Sequence, residues 1–132
     1  MIDIILSIHP KWAEKIYSGE KSVEVRKTKP DFNKFEWINS PKIYLYETTP
    51  IKKITGYVYL EDIKWGNTAQ SNYLYWEDGG TCLTSKQLDE YAKGKLVCFW
   101  QLENPQNFDI PKDIKGSVPQ SWRYLKEGER YD

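Results

Sequence analysis

The chain has 132 residues, enough for one domain, since a second independent core would have too little apolar surface to bury. Its 19 basic and 19 acidic side chains cancel, which excludes a global field drawing it onto a polyanion and argues against high-affinity coating of a duplex. Residues 1–60 carry ten Lys/Arg against seven Asp/Glu, and residues 61–132 carry nine against twelve, so any nucleic-acid contact is expected at a local patch near the N-terminus.

Ile2, Ile4, Leu6 and Ile8 share one parity, which predicts a strand over residues 2–8. His9-Pro10 ends it, and Trp12, Ala13, Ile16 and Tyr17 recur at helical spacing up to Ser18-Gly19, predicting a short amphipathic helix over 10–18. Val23 and Val25 then alternate with Ser22, Glu24 and Arg26, a strand with one charged face. Residues 28–41, rich in Pro and Asn, read as a long loop. Residues 43–47 and 54–60 are strands joined through Thr49-Pro50, and Gly56 inside the second marks a bulge or a close backbone approach.

Residues 64–83 read as a polar and aromatic loop, a candidate lid, with Asp78-Gly79-Gly80 as its clearest turn. Thr84-Ser85-Lys86-Gln87 has capping-box spacing ahead of Leu88 and Tyr91-Ala92, with Gly94 closing a second helix. Residues 95–102 form an apolar strand. The chain then returns through Asn104-Pro105 and Ile110-Pro111, with an edge strand as one option for 103–118. Residues 119–125 make a compact aromatic turn, and the charged tail 126–132 is expected to fray. Several strands with two short helices describe a small α+β barrel, one domain over 1–132.

Ten Tyr and six Trp bring the aromatic share to 15%; such rings suit a half-buried sheet or a base-stacking pocket. Cys82 and Cys98 lack short metal-ligand spacing and His9 is the single histidine, so no metal is expected. Ser18-Gly19-Glu20 lacks the glycine spacing of a dinucleotide site, and no Gly-x-Ser-x-Gly elbow appears, so no cofactor is expected either. The N-terminus has no basic region before its apolar run and no stretch approaches membrane-spanning length, which predicts a cytoplasmic protein without a membrane partner.

Glu24 and Arg26 stand two apart and point to one face of a strand, where carboxylate and guanidinium can pair or jointly grip a ligand. Lys21 has the opposite parity. It joins them only if the strand begins after it or its long stem curls in from the turn. Without a cleft, the same residues are an ordinary surface pair worth little to stability. His9 is a proton-shuttle or packing candidate, Trp12 and Trp122 can stack on a base or pack in the core, and Ser7 and Ser121 can meet a ligand or cap turns.

Gly19-Glu20-Lys21-Ser22-Val23-Glu24-Val25-Arg26 resembles the ASCH signature Gly-x-Lys-x-x-Glu-x-Arg, which in that family follows a short helix. Leu6-Ser7-Ile8, Ile43–Tyr46, Lys53–Gly56 and Val118-Pro119-Gln120-Ser121-Trp122 resemble flanking segments of related domains, so the similarity spans nearly the whole chain. The resemblance implies a small PUA-like β-barrel flanked by short α-helices. It also implies an RNA- or nucleotide-binding cleft of Lys21, Glu24, Arg26, Ser7, Trp12, Gln120, Ser121 and Trp122, taking single-stranded RNA or a nucleoside ligand. Other similar proteins look like ribonucleases, though no His pair supports that mechanism here, and two alternatives come with the resemblance. Some similar proteins are amidohydrolases acting on acetylated cytidine through Lys, Thr and Glu. Here Lys21 matches, Glu24 replaces the threonine, and a catalytic role would fall to Lys21 and Glu24. The other alternative is a protein-interaction or transcription-associated regulatory domain, though no helix-turn-helix is visible.

Overall fold

The computed structural model describes residues 2–34, 40–66 and 80–131. Six strands, β1 (Ile4–Ile8), β2 (Val23–Arg26), β3 (Lys42–Glu47), β4 (Lys53–Gly66), β5 (Val97–Lys112) and β6 (Trp122–Tyr124), form one sheet in the order β2-β5-β4-β3-β1-β6. Only β1 and β3 run parallel; the other neighbours are antiparallel. The sheet curls into a half-barrel, with β2 and β6 as its two unjoined edges. Helix α1 (Pro10–Ser18) follows β1, and α2 (Ser85–Ala92) precedes β5. Among the described residues, no helix is long and apolar enough to cross a membrane.

The alternation expected for the first strand is only half of its environment. Ile4, Leu6 and Ile8 join Ile43, Leu45, Val58, Leu60 and Trp100 in the main core, under Ala13 and Ile16 of α1. Ile5 is equally buried on the opposite face, with Tyr44, Tyr46, Ile54 and Tyr131. A central strand covered on both faces reads as a continuous apolar run.

Helix α1 has the expected bounds, with Gly19 in the left-handed conformation (φ 87°) and its N–H donating to the Ile16 carbonyl. Helix α2 carries the full capping box: Gln87 N–H donates to Thr84 Oγ1, and Thr84 N–H donates to Gln87 Oε1. Its exit differs from the expectation, since Lys93 takes the left-handed position first (φ 51°), ahead of Gly94. Leu88 and Ala92 seal a second cluster with Val23, Val25, Val97 and Phe99.

At Gly56 the register shifts against both neighbouring strands. A Cβ there would stand 2.1 Å from the Gln106 carbonyl oxygen, so the close backbone approach holds.

Three expectations are refined. Of the options open for 103–118 the structure takes the edge strand: β5 runs from Val97 through Lys112, with Asn104 absorbing an irregularity at φ 51°. Beyond Gln101, β5 has no β2 partner and is an edge, where a proline lacking its N–H forfeits no ladder bond. Residues 64–66 belong to β4 rather than to the loop, and most of the candidate lid, 67–79, lies outside the described residues.

In the tail, where fraying is expected, Tyr131 is packed and 2% exposed. Arg123 Nη1 and Nη2 donate to Glu129 Oε1 and Oε2 at 2.8 and 2.9 Å, and Tyr131 packs its ring 5.4 Å from that of Tyr44. The charged composition suggested solvation, but the outer face of β1 and β3 needs a cover, and the tail supplies it.

Candidate functional site

The two unjoined edges of the half-barrel meet through side chains. Arg26, at the end of β2, donates from Nη2 to the Ser7 carbonyl of β1 at 2.8 Å and from Nη1 to Ser121 Oγ at 3.1 Å. Ser7 holds the same strip from the other side. Its hydroxyl donates to the Pro119 carbonyl at 2.6 Å and its N–H to the Ser121 carbonyl at 2.9 Å. Beside this seam lies a cavity of about 520 Å³, lined from β1 and α1 by Ser7, His9 and Trp12, and from β2 and its lead-in by Lys21, Glu24 and Arg26. Leu83, Gln87 and Tyr91 close it from the side of α2, and Gln120 from the segment before β6.

Lys21 joins Glu24 and Arg26 because the strand begins after it. Residue 21 precedes β2, its N–H donates to the Lys15 carbonyl, and its stem turns inward. Its Nζ donates to the Thr81 carbonyl at 2.6 Å, sits 3.3 Å from Glu24 Oε1 and lies 5.3 Å from the centroid of the Trp12 ring. Arg26 donates from Nε and Nη2 to Glu24 Oε2 at 3.0 and 2.7 Å. Each Glu24 oxygen is thus engaged by a different cation.

Lys21 and Glu24 are only 2% and 7% exposed, so this is a largely desolvated trio and not the surface pair that spacing alone allowed. Burial pushes the Glu24 carboxyl up, but Lys21 and Arg26 together outweigh it and hold the group below the usual carboxylate range. Tyr91 lies within electrostatic reach of the same charges. Burial raises its phenol, Arg26 opposes that rise and Glu24 adds to it.

Two cations on one carboxylate leave the trio with a net charge of +1, so Glu24 orients Lys21 and Arg26 and has no oxygen left over as a ready proton acceptor. Such an arrangement suits an anionic or carbonyl-rich ligand lying against a positive wall between aromatic rings.

Of the residues singled out in the sequence, Ser7, Trp12, Lys21, Glu24, Arg26, Gln120 and also His9 line the cavity. Ser121 acts through Arg26. Trp122 does not reach the cavity: its indole N–H donates to Thr28 Oγ1 at 2.8 Å, and its ring packs edge-on against Trp100 and Tyr124. Sequence reasoning missed Thr81, Gln87 and Tyr91. The capping box that fixes α2 was visible, but nothing in the sequence tied that helix to β2. Among the described residues, no group of three His, Cys, Asp or Glu side chains stands close enough to hold a metal.

The family model described as ASCH domain matches residues 6–112. An ASCH domain-containing ribonuclease of Zymomonas mobilis subsp. mobilis is 31% identical over 137 residues, covering 96% of this chain and 86% of that protein. Crystal structures of the Zymomonas mobilis ASCH protein superpose on the chain. A serine-to-alanine mutant does so with TM-score 0.76 at 27% identity, over 95% of this chain and 89% of that one. The ASCH structure without a stated mutation gives 0.75 at 25%, over 95% and 88%. With this likeness, the curled sheet and two short helices are an α+β fold of the PUA-like type.

Proposed function

The chain belongs to the ASCH domain family, and from that premise we propose that its cleft binds single-stranded RNA or a nucleotide, holding one unstacked base beside Lys21 and Arg26. The observation that carries this is the trio of buried Lys21 and Glu24 with partly buried Arg26 and its net positive charge, set in a cavity whose walls include the rings of Trp12 and Tyr91. Single-stranded recognition relies on splayed bases stacked on aromatic rings and hydrogen-bonded along their edges. A chain with no net charge needs a local cation cluster to hold a polyanion, and the trio provides one. The Zymomonas mobilis relative bears the name ribonuclease, which supports the same ligand class.

The test is a titration of short single-stranded RNAs and of mononucleotides by fluorescence anisotropy or calorimetry. Salt-sensitive binding that drops at least tenfold in Arg26→Ala is expected. Flat titrations with every RNA and nucleotide would overturn the proposal.

Cleavage of the bound strand is a second reading, favoured by the relative's name and by His9 on the cavity wall, since imidazole is the side chain most used for proton transfer. RNA degradation abolished by His9→Ala would support it, and intact RNA after prolonged incubation would dismiss it. Amidohydrolysis of an acetylated nucleoside gains no comparable support, because Glu24 stands where those enzymes use threonine and both its oxygens face cations.

A further inference from the structure

A second groove, of about 390 Å³, opens beside the cleft where α2 turns into β5. Tyr91 lines both. The groove's remaining walls include Lys27, Lys93, Lys95 and Leu96, and no acidic residue lines it. All three lysines are exposed, and Leu96 is 53% exposed. The Lys27 ammonium stands 5.0 Å from the centroid of the Tyr91 ring, so the shared ring carries a cation on the groove side.

The backbone explains why the lysines gather. The left-handed turn at Lys93 and Gly94 reverses the chain after α2, and β5 then pairs with β2 through residues 98–101, which brings the end of β2 and its successor Lys27 alongside. Asp89 and Glu90, the acidic residues of α2, do not line the groove, and among the described residues no ion pair occupies Lys27, Lys93 or Lys95.

Unpaired ammonium groups beside an aromatic ring and an apolar floor are the features by which proteins track a single strand: cations follow the phosphates, and rings carry the bases. The geometry points to this groove as the path of the RNA backbone leaving the cleft, with Lys27, Lys93 and Lys95 on the phosphodiesters next to the held base. The inference rests on the cleft being an RNA site and adds where the neighbouring nucleotides run.

The test separates the two. Pentameric single-stranded RNAs and the matching mononucleosides are titrated against wild type, against Lys93→Gln with Lys95→Gln, and against Lys52→Gln with Lys126→Gln, a charge-matched change outside the groove. Each phosphate contact on a single strand adds about 0.7 to the slope of log affinity against log salt. The groove pair is therefore expected to lose about 1.4 from that slope with the pentamer, at two contacts of about 0.7 each, while mononucleoside affinity stays as in wild type. Lys93→Arg with Lys95→Arg is expected to keep the wild-type slope. An unchanged slope in the groove pair, or an equal loss in the charge-matched control, overturns the groove path while leaving the cleft reading standing. If wild type binds neither pentamer nor mononucleoside, both fall together.

Discussion

Glu24 is the residue on which the site's geometry turns. Its two oxygens hold two cations apart, the buried Lys21 from the turn before β2 and the partly buried Arg26 from the strand's end. Removing one partner of a buried ionic group costs about 3–5 kcal/mol, because the remaining charges lose their compensation. Glu24→Gln, which keeps the shape and deletes the charge, is expected to lower unfolding free energy in urea by about that amount. A change within about 0.5 kcal/mol would place the trio among ordinary surface charges. The pH dependence has a definite sign. The folded-state carboxyl titrates below its ordinary value of 4.5, so its stabilisation is complete above that pH and is lost as pH falls through the lowered value. Wild type is expected to lose stability across that acid window more steeply than Glu24→Gln, as read from urea midpoints at a series of pH values.

At the scale of elements, α2 matters because it brings Gln87 and Tyr91 to a cleft otherwise built mostly from the chain's first 26 residues, with Thr48, Leu83 and Gln120. Its start is fixed by reciprocal bonds between Thr84 and Gln87. Thr84→Ala is expected to cost about 1 kcal/mol in stability and to weaken RNA binding through a displaced Tyr91, with Thr84→Ser restoring both. Unchanged melting and affinity would show that the cap does not set the helix's position. The elements themselves were largely legible. The octapeptide 19–26 exposed the trio, and the proline, glycine and capping signals bounded both helices. What periodicity could not supply was the start of β2 after Lys21, which decides whether parity separates or unites the three charges. Nor could it choose between the edge strand and a loop for the stretch through Asn104-Pro105, or show that β5 would draw α2 toward β2. Trp122 was ambiguous for a related reason. An indole suits a base or a core, and only the hydrogen bond to Thr28 assigns it to packing.

On the scale of the whole molecule, the unclosed seam is what leaves room for a site. Arg26 and Ser7 bridge β2, β1 and the segment before β6 by side-chain bonds in place of a strand ladder, and the cavity opens beside that bridge. The opposite face is closed by the tail, whose Arg123–Glu129 pair and buried Tyr131 cover Tyr44. A second cavity there is lined by Asp3, Lys42, Tyr44 and residues 125–130, including Lys126 and Arg130. It offers the natural contrast, being charged, on the other side of the sheet and without the trio. Backbone amide NMR during titration with a short single-stranded RNA distinguishes the two faces directly. If the cleft holds the strand, shifts will concentrate at residues 7–12, 21–26 and 83–91 and leave 125–130 unmoved. Shifts centred on Asp3, Lys42 and Lys126, or none at saturating RNA, would contradict it.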